Sequence, residues 1–298
     1  MTASVEECVE VPVAGGRLEV RVVGEAEGGG GRPTVVLVHG LLVSSHVWDP
    51  VVPLLAPHVR LVLPDLPLGA HRRALNPRAQ RTVPALADRL ARVIEDTCDE
   101  PPVVVGNDTG GAVVQHLCAR RPDVVGSLVL ASCDAYWNCP PWPLWPALPL
   151  FRVPGFVHLF ARLARVDAVQ RQLVQLVARR VPPPGERAAL LGGLFDDPGV
   201  RRDLAGVVRA LHPGVTRSTV HTLAAWDRPT TVVWGRPDAV FPARLARRLA
   251  ATIPGAELVW VDGSRALLPL DRPTAFADAL LAHVSRSHGG GRPGVAPA

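Results

Sequence analysis

The chemistry of this chain is concentrated in Val103-Val104-Val105-Gly106-Asn107-Asp108-Thr109-Gly110-Gly111-Ala112-Val113-Val114. This apolar β-branched run stops at a Gly-x-Asp-x-Gly-Gly turn and continues with helical character. A strand that becomes a helix within so few residues forces its central residue into a strained conformation, and small neighbours such as Gly106 and Gly110 leave room for the backbone to pass. The central side chain then projects at a helix N-terminus, where the macrodipole favours a carboxylate. The stretch reads as a nucleophile elbow with aspartate where serine more often stands. The plainer alternative is a strand-turn-helix connection with Asp108 as helix cap. A carboxylate so placed can attack an electrophilic carbon and hold it as an ester, or move a proton as a general acid or base.

Two more stretches frame the elbow. Upstream, Thr34-Val35-Val36-Leu37-Val38-His39-Gly40 is a buried-type strand ending in His-Gly. Downstream, Thr231-Val232-Val233-Trp234-Gly235-Arg236-Pro237-Asp238 is another, ending in a carboxylate. In this order the three stretches resemble the α/β-hydrolase superfamily over nearly the whole chain, and within it the aspartate-nucleophile branch of haloalkane dehalogenases, fluoroacetate dehalogenases and epoxide hydrolases. The resemblance implies Asp108 as nucleophile, with the backbone N–H groups of Leu41 and Thr109 as an oxyanion hole. It implies Asp238 as the acid after the seventh strand, with a turn or helix-capping aspartate as the alternative, and Asp134, after the sixth, as a second possible acid. Three carboxylates approaching each other in a dry pocket would push at least one pKa upward.

The sequence departs from that pattern at the base. Where the superfamily ends its eighth strand with a Gly-x-Gly-His-like word, this chain has Val261-Asp262-Gly263-Ser264-Arg265-Ala266-Leu267-Leu268-Pro269. Alignment on Gly263 and Pro273 puts Ala266 at the position of the catalytic histidine. An Asp108 ester could then form but would be released slowly, since general-base assistance is worth about 10²–10⁴-fold. The halide-binding side chains of the dehalogenases are replaced by Leu41 and Thr109, and Tyr136 is the single tyrosine available for an epoxide-type leaving oxygen. His39 and His46 are placed near the pocket, with His46 the first substitute base to test. The aromatic group Tyr136, Trp137, Trp142, Trp145, Phe151, Phe156 and Phe160 is expected to supply core to the inserted segment and some rings to the substrate.

Composition sets the frame. A chain of 298 residues, 48% hydrophobic, can bury a large core. Its net charge of +5 comes entirely from arginine, so Schiff-base chemistry on a lysine is excluded. The arginines are scattered among acidic residues, as solvated helix faces are, and no nucleic-acid partner is expected. Five cysteines without metal-like spacing and an N-terminus without a signal pattern fit a reduced, cytoplasmic protein. No apolar run reaches spanning length, so no membrane partner is expected. No metal or organic cofactor is implied, there being no dinucleotide Gly-x-Gly-x-x-Gly after a strand.

The elements that must position these residues follow from periodicity. Strands are expected at Val9–Val13 and Arg17–Val23 around Ala14-Gly15-Gly16, then at Thr34–Val38, Arg60–Leu63, the elbow, Ser127–Ser132, Thr230–Trp234 and Glu257–Val261. Helices are expected at Ser45–Ala56, Thr82–Thr97, after the elbow, at Pro242–Ile253 and at Pro273–Arg286. Gly28–Gly31 is expected to be a loop. The pattern predicts an α/β fold with a mostly parallel sheet and helices on both faces. Residues 1–133 and 227–288 form the core, 134–226 an inserted helical cap with helices over 157–181 and 184–210, and 289–298 a disordered tail. The function so read is an enzyme acting on a small hydrophobic substrate through Asp108 with C–O or C–halogen chemistry. Two rivals stay open: a non-hydrolytic isomerase, cyclase or lyase using Asp108 as acid/base, and a silent ligand-binding protein.

Overall fold

The computed structural model describes residues 6–24 and 32–289. The loop expected at Gly28–Gly31 and the tail beyond Gly289 lie outside the described residues. Eight strands form one sheet: β1 (Glu6–Val13), β2 (Gly16–Val23), β3 (Thr34–Val38), β4 (Arg60–Pro64), β5 (Val103–Asp108), β6 (Ser127–Cys133), β7 (Thr230–Arg236) and β8 (Glu257–Asp262). Their order is β1-β2-β4-β3-β5-β6-β7-β8. The β1–β2 hairpin and the β2–β4 pair are antiparallel; every pair from β4 to β8 is parallel. β5 and β6 are buried at every position, as unbroken β-branched and aliphatic runs must be when helices cover both faces.

The longer helices are α1 (Val83–Thr97), α2 (Thr109–Arg120), α3 (Phe156–Leu163), α4 (Asp167–Val177), α5 (Pro184–Leu191), α6 (Pro198–Ala210), α7 (Ala243–Thr252) and α8 (Pro273–Gly289). One core layer packs α1, α2 and α7 through Leu86, Leu90, Val113, Leu117 and Leu245. The other packs α8 and the loop after β3 through Trp48, Leu55, Phe276 and Leu280. α1 starts as predicted, with the Thr82 hydroxyl accepting from the Ala85 N–H at 3.4 Å. Among the described residues no helix is long and apolar enough to cross a membrane, and all five cysteines are free.

Two expectations are corrected. The helix predicted over 45–56 is a 3-10 turn at Ser45–Trp48 followed by a single turn at Val52–Leu55, because Pro50 and Pro53 lack the N–H donors that a continuous helix needs. The two long helices predicted over 157–181 and 184–210 are each interrupted. Val166 is extended ahead of α4, and Asp197 is extended ahead of Pro198, its carboxylate capping the Gly199 N–H at 2.6 Å. No strand occurs between β6 and β7. That segment carries its own cluster of Phe151, Val157, Leu194 and Leu204. It is tied back by the buried Asp203 of α6, which accepts from His71 Nε2, the Leu75 N–H and Arg81 Nε at 3.2, 2.7 and 2.7 Å.

The elbow is where backbone crowding is tightest. A Cβ on Gly106 would lie 2.7 Å from the Gly111 Cα, and one on Gly110 would lie 2.5 Å from the Val38 carbonyl oxygen and also strike that of His39. Gly110→Ala therefore has to displace β3 from α2. Its expected cost is about 1–3 kcal/mol or more, measured as a lower urea midpoint at an unchanged m-value.

Candidate active site

β5 delivers Asp108 in a conformation that non-glycine residues avoid, φ 56° and ψ −129°, and the packing of β3, β5 and α2 holds it there. Such strain costs about 1–3 kcal/mol and is found where a side chain must be aimed. Asp108 Oδ1 accepts from the Thr109 N–H at 2.6 Å and the Leu41 N–H at 3.0 Å. The donors expected of an oxyanion hole thus converge on one carboxylate oxygen. Burial raises the Asp108 pKa, and the two backbone donors oppose that rise.

Asp134 meets Asp108 through Thr109. The Thr109 hydroxyl donates to Asp134 Oδ2 at 3.0 Å, and the Asp134 N–H donates to the Asp108 carbonyl at 3.2 Å. Asp134 is fully buried, and its Oδ1 has no partner. Burial first, and the Asp108 charge second, hold its carboxyl well above the ordinary carboxylate range. A carboxyl of raised pKa keeps in the native state a proton that the unfolded chain releases. The stability it contributes is complete below the unfolded value of 3.8 and is lost as pH rises toward the folded value. Asp134→Asn keeps the acceptor for Thr109 and cannot ionise. Its melting temperature is expected to match wild type at pH 4 and to exceed it by a few °C at pH 8, read by calorimetry at both pH values.

Asp238 is half-buried beyond β7. Its Oδ1 accepts from the Val240 and Phe241 N–H groups at 2.8 and 3.0 Å, which is the geometry of a turn aspartate. Its Oδ2 is buried without a partner. Burial, with the Asp108 charge as a smaller cause, pushes its pKa up to about 7. Asn107, which sequence reasoning passed over, joins the strands behind the carboxylates. Its Nδ2 donates at 2.8 Å to both the Ala131 and the Ala266 carbonyls. The signal was there, a lone amide in an otherwise apolar strand, but its partners sit 24 and 159 residues away.

Asp108 opens onto a pocket of about 810 Å³ of empty space, its mouth included. Leu41, Leu42 and Val43 line it from the loop after β3, Phe160 and Ala164 from in and after α3, Leu173, Val174, Leu176 and Val177 from α4, and Val240 and Leu267 from elsewhere on the wall. Among its lining residues Asp108 and Thr109 alone carry polar side chains.

Several residues predicted to line the pocket do not. His39 is fully buried and faces the core: its Nε2 accepts from the Leu66 N–H at 2.9 Å and its Nδ1–H donates to the Gly40 carbonyl at 3.0 Å. Burial lowers its pKa, which keeps it neutral. His46 is engaged by Asp49 and Arg72, both at 2.8 Å, outside the pocket. No histidine among the described residues lines the pocket. Ala266 is fully buried, and its neighbour Leu267 lines the pocket in its place. Tyr136 bonds Thr252 Oγ1 at 2.7 Å beneath the Arg248 guanidinium, and Trp137 lies under the same arginine. Trp142 and Trp145 point outward because they stand three residues apart in a 3-10 segment, Trp142–Arg152, where such positions share one face. Phe160 is the ring of the group that reaches the pocket. Among the described residues no group of three or more His, Cys, Asp and Glu side chains could hold a metal ion.

Comparison with known proteins agrees with this architecture. A family model described as alpha/beta hydrolase fold matches residues 33–273. A pimeloyl-[acyl-carrier protein] methyl ester esterase of Neisseria meningitidis is 29% identical over 252 residues, covering 82% of this chain and 74% of its own length. Among solved structures, the haloalkane dehalogenase DbeA from Bradyrhizobium elkani USDA94 superposes with a TM-score of 0.79 at 22% identity, over 96% of this chain and 100% of that one. A thermophilic esterase from Thermogutta terrifontis gives 0.72 at 21% identity, over 95% and 99%. At these identities the two structures speak for the fold alone.

Proposed function

The chain belongs to the alpha/beta hydrolase fold family, and from that membership we propose an enzyme in which Asp108 acts as a nucleophile toward a small apolar electrophile. One observation carries the reading: Asp108 Oδ1 rests on the Leu41 and Thr109 N–H groups, and Asp108 lines a pocket whose other walls, Thr109 apart, are hydrocarbon. In the forward step the other carboxylate oxygen forms a bond to carbon, the bond to the leaving group breaks, and the leaving group takes the electron pair. The product is an ester of Asp108 whose carbonyl oxygen already lies in the oxyanion hole. Water then adds to the ester carbonyl, the alcohol leaves, and the carboxylate is regenerated. The segment 134–226 serves as the roof that keeps bulk water from the first step. With no histidine among the described residues on the pocket wall, the second step is slow. A relative named for a methyl ester supports chemistry at a C–O bond.

The test is intact-protein mass spectrometry after incubation with a panel of alkyl halides, epoxides and activated esters. A stoichiometric adduct mapped to Asp108 is the expected outcome. No adduct from any electrophile, in a protein that still binds apolar ligands, overturns the nucleophilic reading.

A second reading has its own observation. Two carboxyls of raised pKa, Asp108 and Asp134, share the Thr109 side chain and backbone as donors, and Asp238 is held at about 7. This is the equipment of an acid/base isomerase, cyclase or lyase, in which Asp108 moves a proton and no ester forms. Under either reading Asp238 loses its proton near neutrality. The log of turnover with any accepted substrate is therefore expected to inflect near pH 7 in wild type, and Asp238→Asn is expected to remove that inflection. An inflection that persists in the variant assigns it to another group.

A further inference from the structure

Ten large apolar side chains stand exposed among the described residues, and eight of them fall between Trp142 and Leu176; Trp142, Trp145, Val153, Leu159, Leu163 and Val166 are among these. They are turned outward by construction. The indole N–H of Trp142 donates to the Ala239 carbonyl at 3.2 Å and that of Trp145 to the Pro140 carbonyl at 2.9 Å, so each ring satisfies its polar atom against the protein and leaves its apolar body in solvent. Leu159 and Leu163 lie one turn apart on α3, opposite the buried Val157 and Ala161. The 3-10 segment packs onto α3 through Phe151, whose ring centroid is 5.2 Å from Phe156 and 5.6 Å from Phe160. The two outer surfaces therefore adjoin. Apolar surface gathered in this way marks a contact region.

Charge decides what it contacts. Residues 142–176 contain four arginines and one aspartate, a formal +3 of the chain's net +5. Arg165 and Arg171 are ion-paired with Asp196 and Asp167, and Arg152 and Arg162 are exposed. A second copy of the chain docked on this face would set one basic surface against another, which like charges oppose. An anionic lipid surface complements it, and apolar side chains with arginine flanks and tryptophan rings are the composition of an interfacial contact. The surface also leads into the pocket: Leu176 is exposed and lines the pocket as well, and Leu144, Phe160 and Leu173 of the same segment continue the lining inward. We propose that the face spanning Trp142 to Leu176 docks on an anionic lipid bilayer surface, and that apolar substrate passes from the bilayer along this face to the pocket without crossing water. Docking of this kind requires no spanning helix. The delivery clause rests on the pocket being a substrate site; the docking itself does not depend on Asp108 chemistry.

The experiment is co-sedimentation of the full chain with vesicles, alongside tryptophan emission. Vesicles of phosphatidylglycerol and phosphatidylcholine in equal parts are expected to bind the protein and blue-shift its emission, vesicles of phosphatidylcholine alone to bind it at least about tenfold more weakly, and salt of about 1 M to release it. Leu159→Ser/Leu163→Ser and Arg152→Glu/Arg162→Glu change exposed side chains, with circular dichroism confirming that each folds. Each pair is expected to lower the partition about tenfold or more. Absence of sedimentation, equal binding to neutral vesicles, or full binding by either pair overturns the proposal. So does a wild-type dimer, seen by sedimentation velocity, that the leucine pair converts to monomer without any vesicle binding, since the face would then be a self-interface. Vesicle binding reads no turnover, so an inactive Asp108 leaves the result unchanged.

Discussion

Asp108→Asn is expected to form no adduct with any electrophile that labels wild type, and to lose turnover by at least about 10³-fold with a substrate that wild type accepts. Asparagine keeps the shape of the side chain, and its carbonyl oxygen can accept from the Leu41 and Thr109 N–H groups, which hold Asp108 Oδ1 at 3.0 and 2.6 Å. The pocket and the elbow geometry are therefore retained, and the loss reads chemistry and not folding. The stability of the variant gives an independent check with a defined sign. Burial raises the Asp108 pKa, so the native state is disfavoured as pH rises above the unfolded value, and a neutral amide escapes that penalty. Asp108→Asn should melt at or above the wild-type temperature at pH 8 while being inactive. A variant that melts well below wild type would mean that the carboxylate charge stabilises the elbow. Turnover retained in Asp108→Asn would remove Asp108 from the chemistry altogether. Ligand binding without turnover in wild type would leave the silent receptor.

Ala266→His carries the second large effect. Ala266 is fully buried, and its carbonyl is pinned by Asn107 Nδ2 at 2.8 Å. Asp238 Oδ2 is buried and accepts nothing. In the proposed reading, which puts Ala266 at the superfamily's histidine position and Asp238 at its acid position, an imidazole at 266 donates its Nδ1–H to that oxygen, which fixes the tautomer and leaves Nε2 as base toward water at the Asp108 ester. Discharge of the adduct is expected to quicken by about 10²–10⁴-fold, the usual worth of general-base assistance, followed by time-resolved mass spectrometry. Fitting a ring into a sealed position is expected to cost about 1–3 kcal/mol. Ala266→His/Asp238→Asn should fold equally well and lose most of the gain, because an unoriented imidazole is a poor base. A folded Ala266→His whose adduct persists as long as that of wild type would show that the histidine is not what limits release.

How much of this was legible beforehand varied with the range of the interaction. The hairpin around Ala14-Gly15, the buried runs of β3, β5, β6 and β7, the Thr82 cap and the elbow at Asp108 were all readable, because each is written in residues adjacent along the chain. Period-two or unbroken apolar runs, a cap residue and small residues around a turn obey local sterics and burial, and those do not wait for the rest of the fold. The prolines at 50, 53 and 198 carry the same kind of local information, and they mark the breaks that divide 45–56 and 184–210. The site was legible in its centre and illegible in its surroundings. That Thr109 links Asp108 to Asp134, that Asn107 spans three segments and that His39 turns into the core depend on which distant groups each side chain finds within hydrogen-bond reach. The architecture and the place of the Asp108 carboxylate on its elbow thus follow from local periodicity and steric necessity. Which oxygens are partnered, which rings wall the pocket and which carboxyls keep their protons follow from the assembled fold, because hydrogen-bond satisfaction and desolvation are properties of surroundings built from residues far apart in the chain.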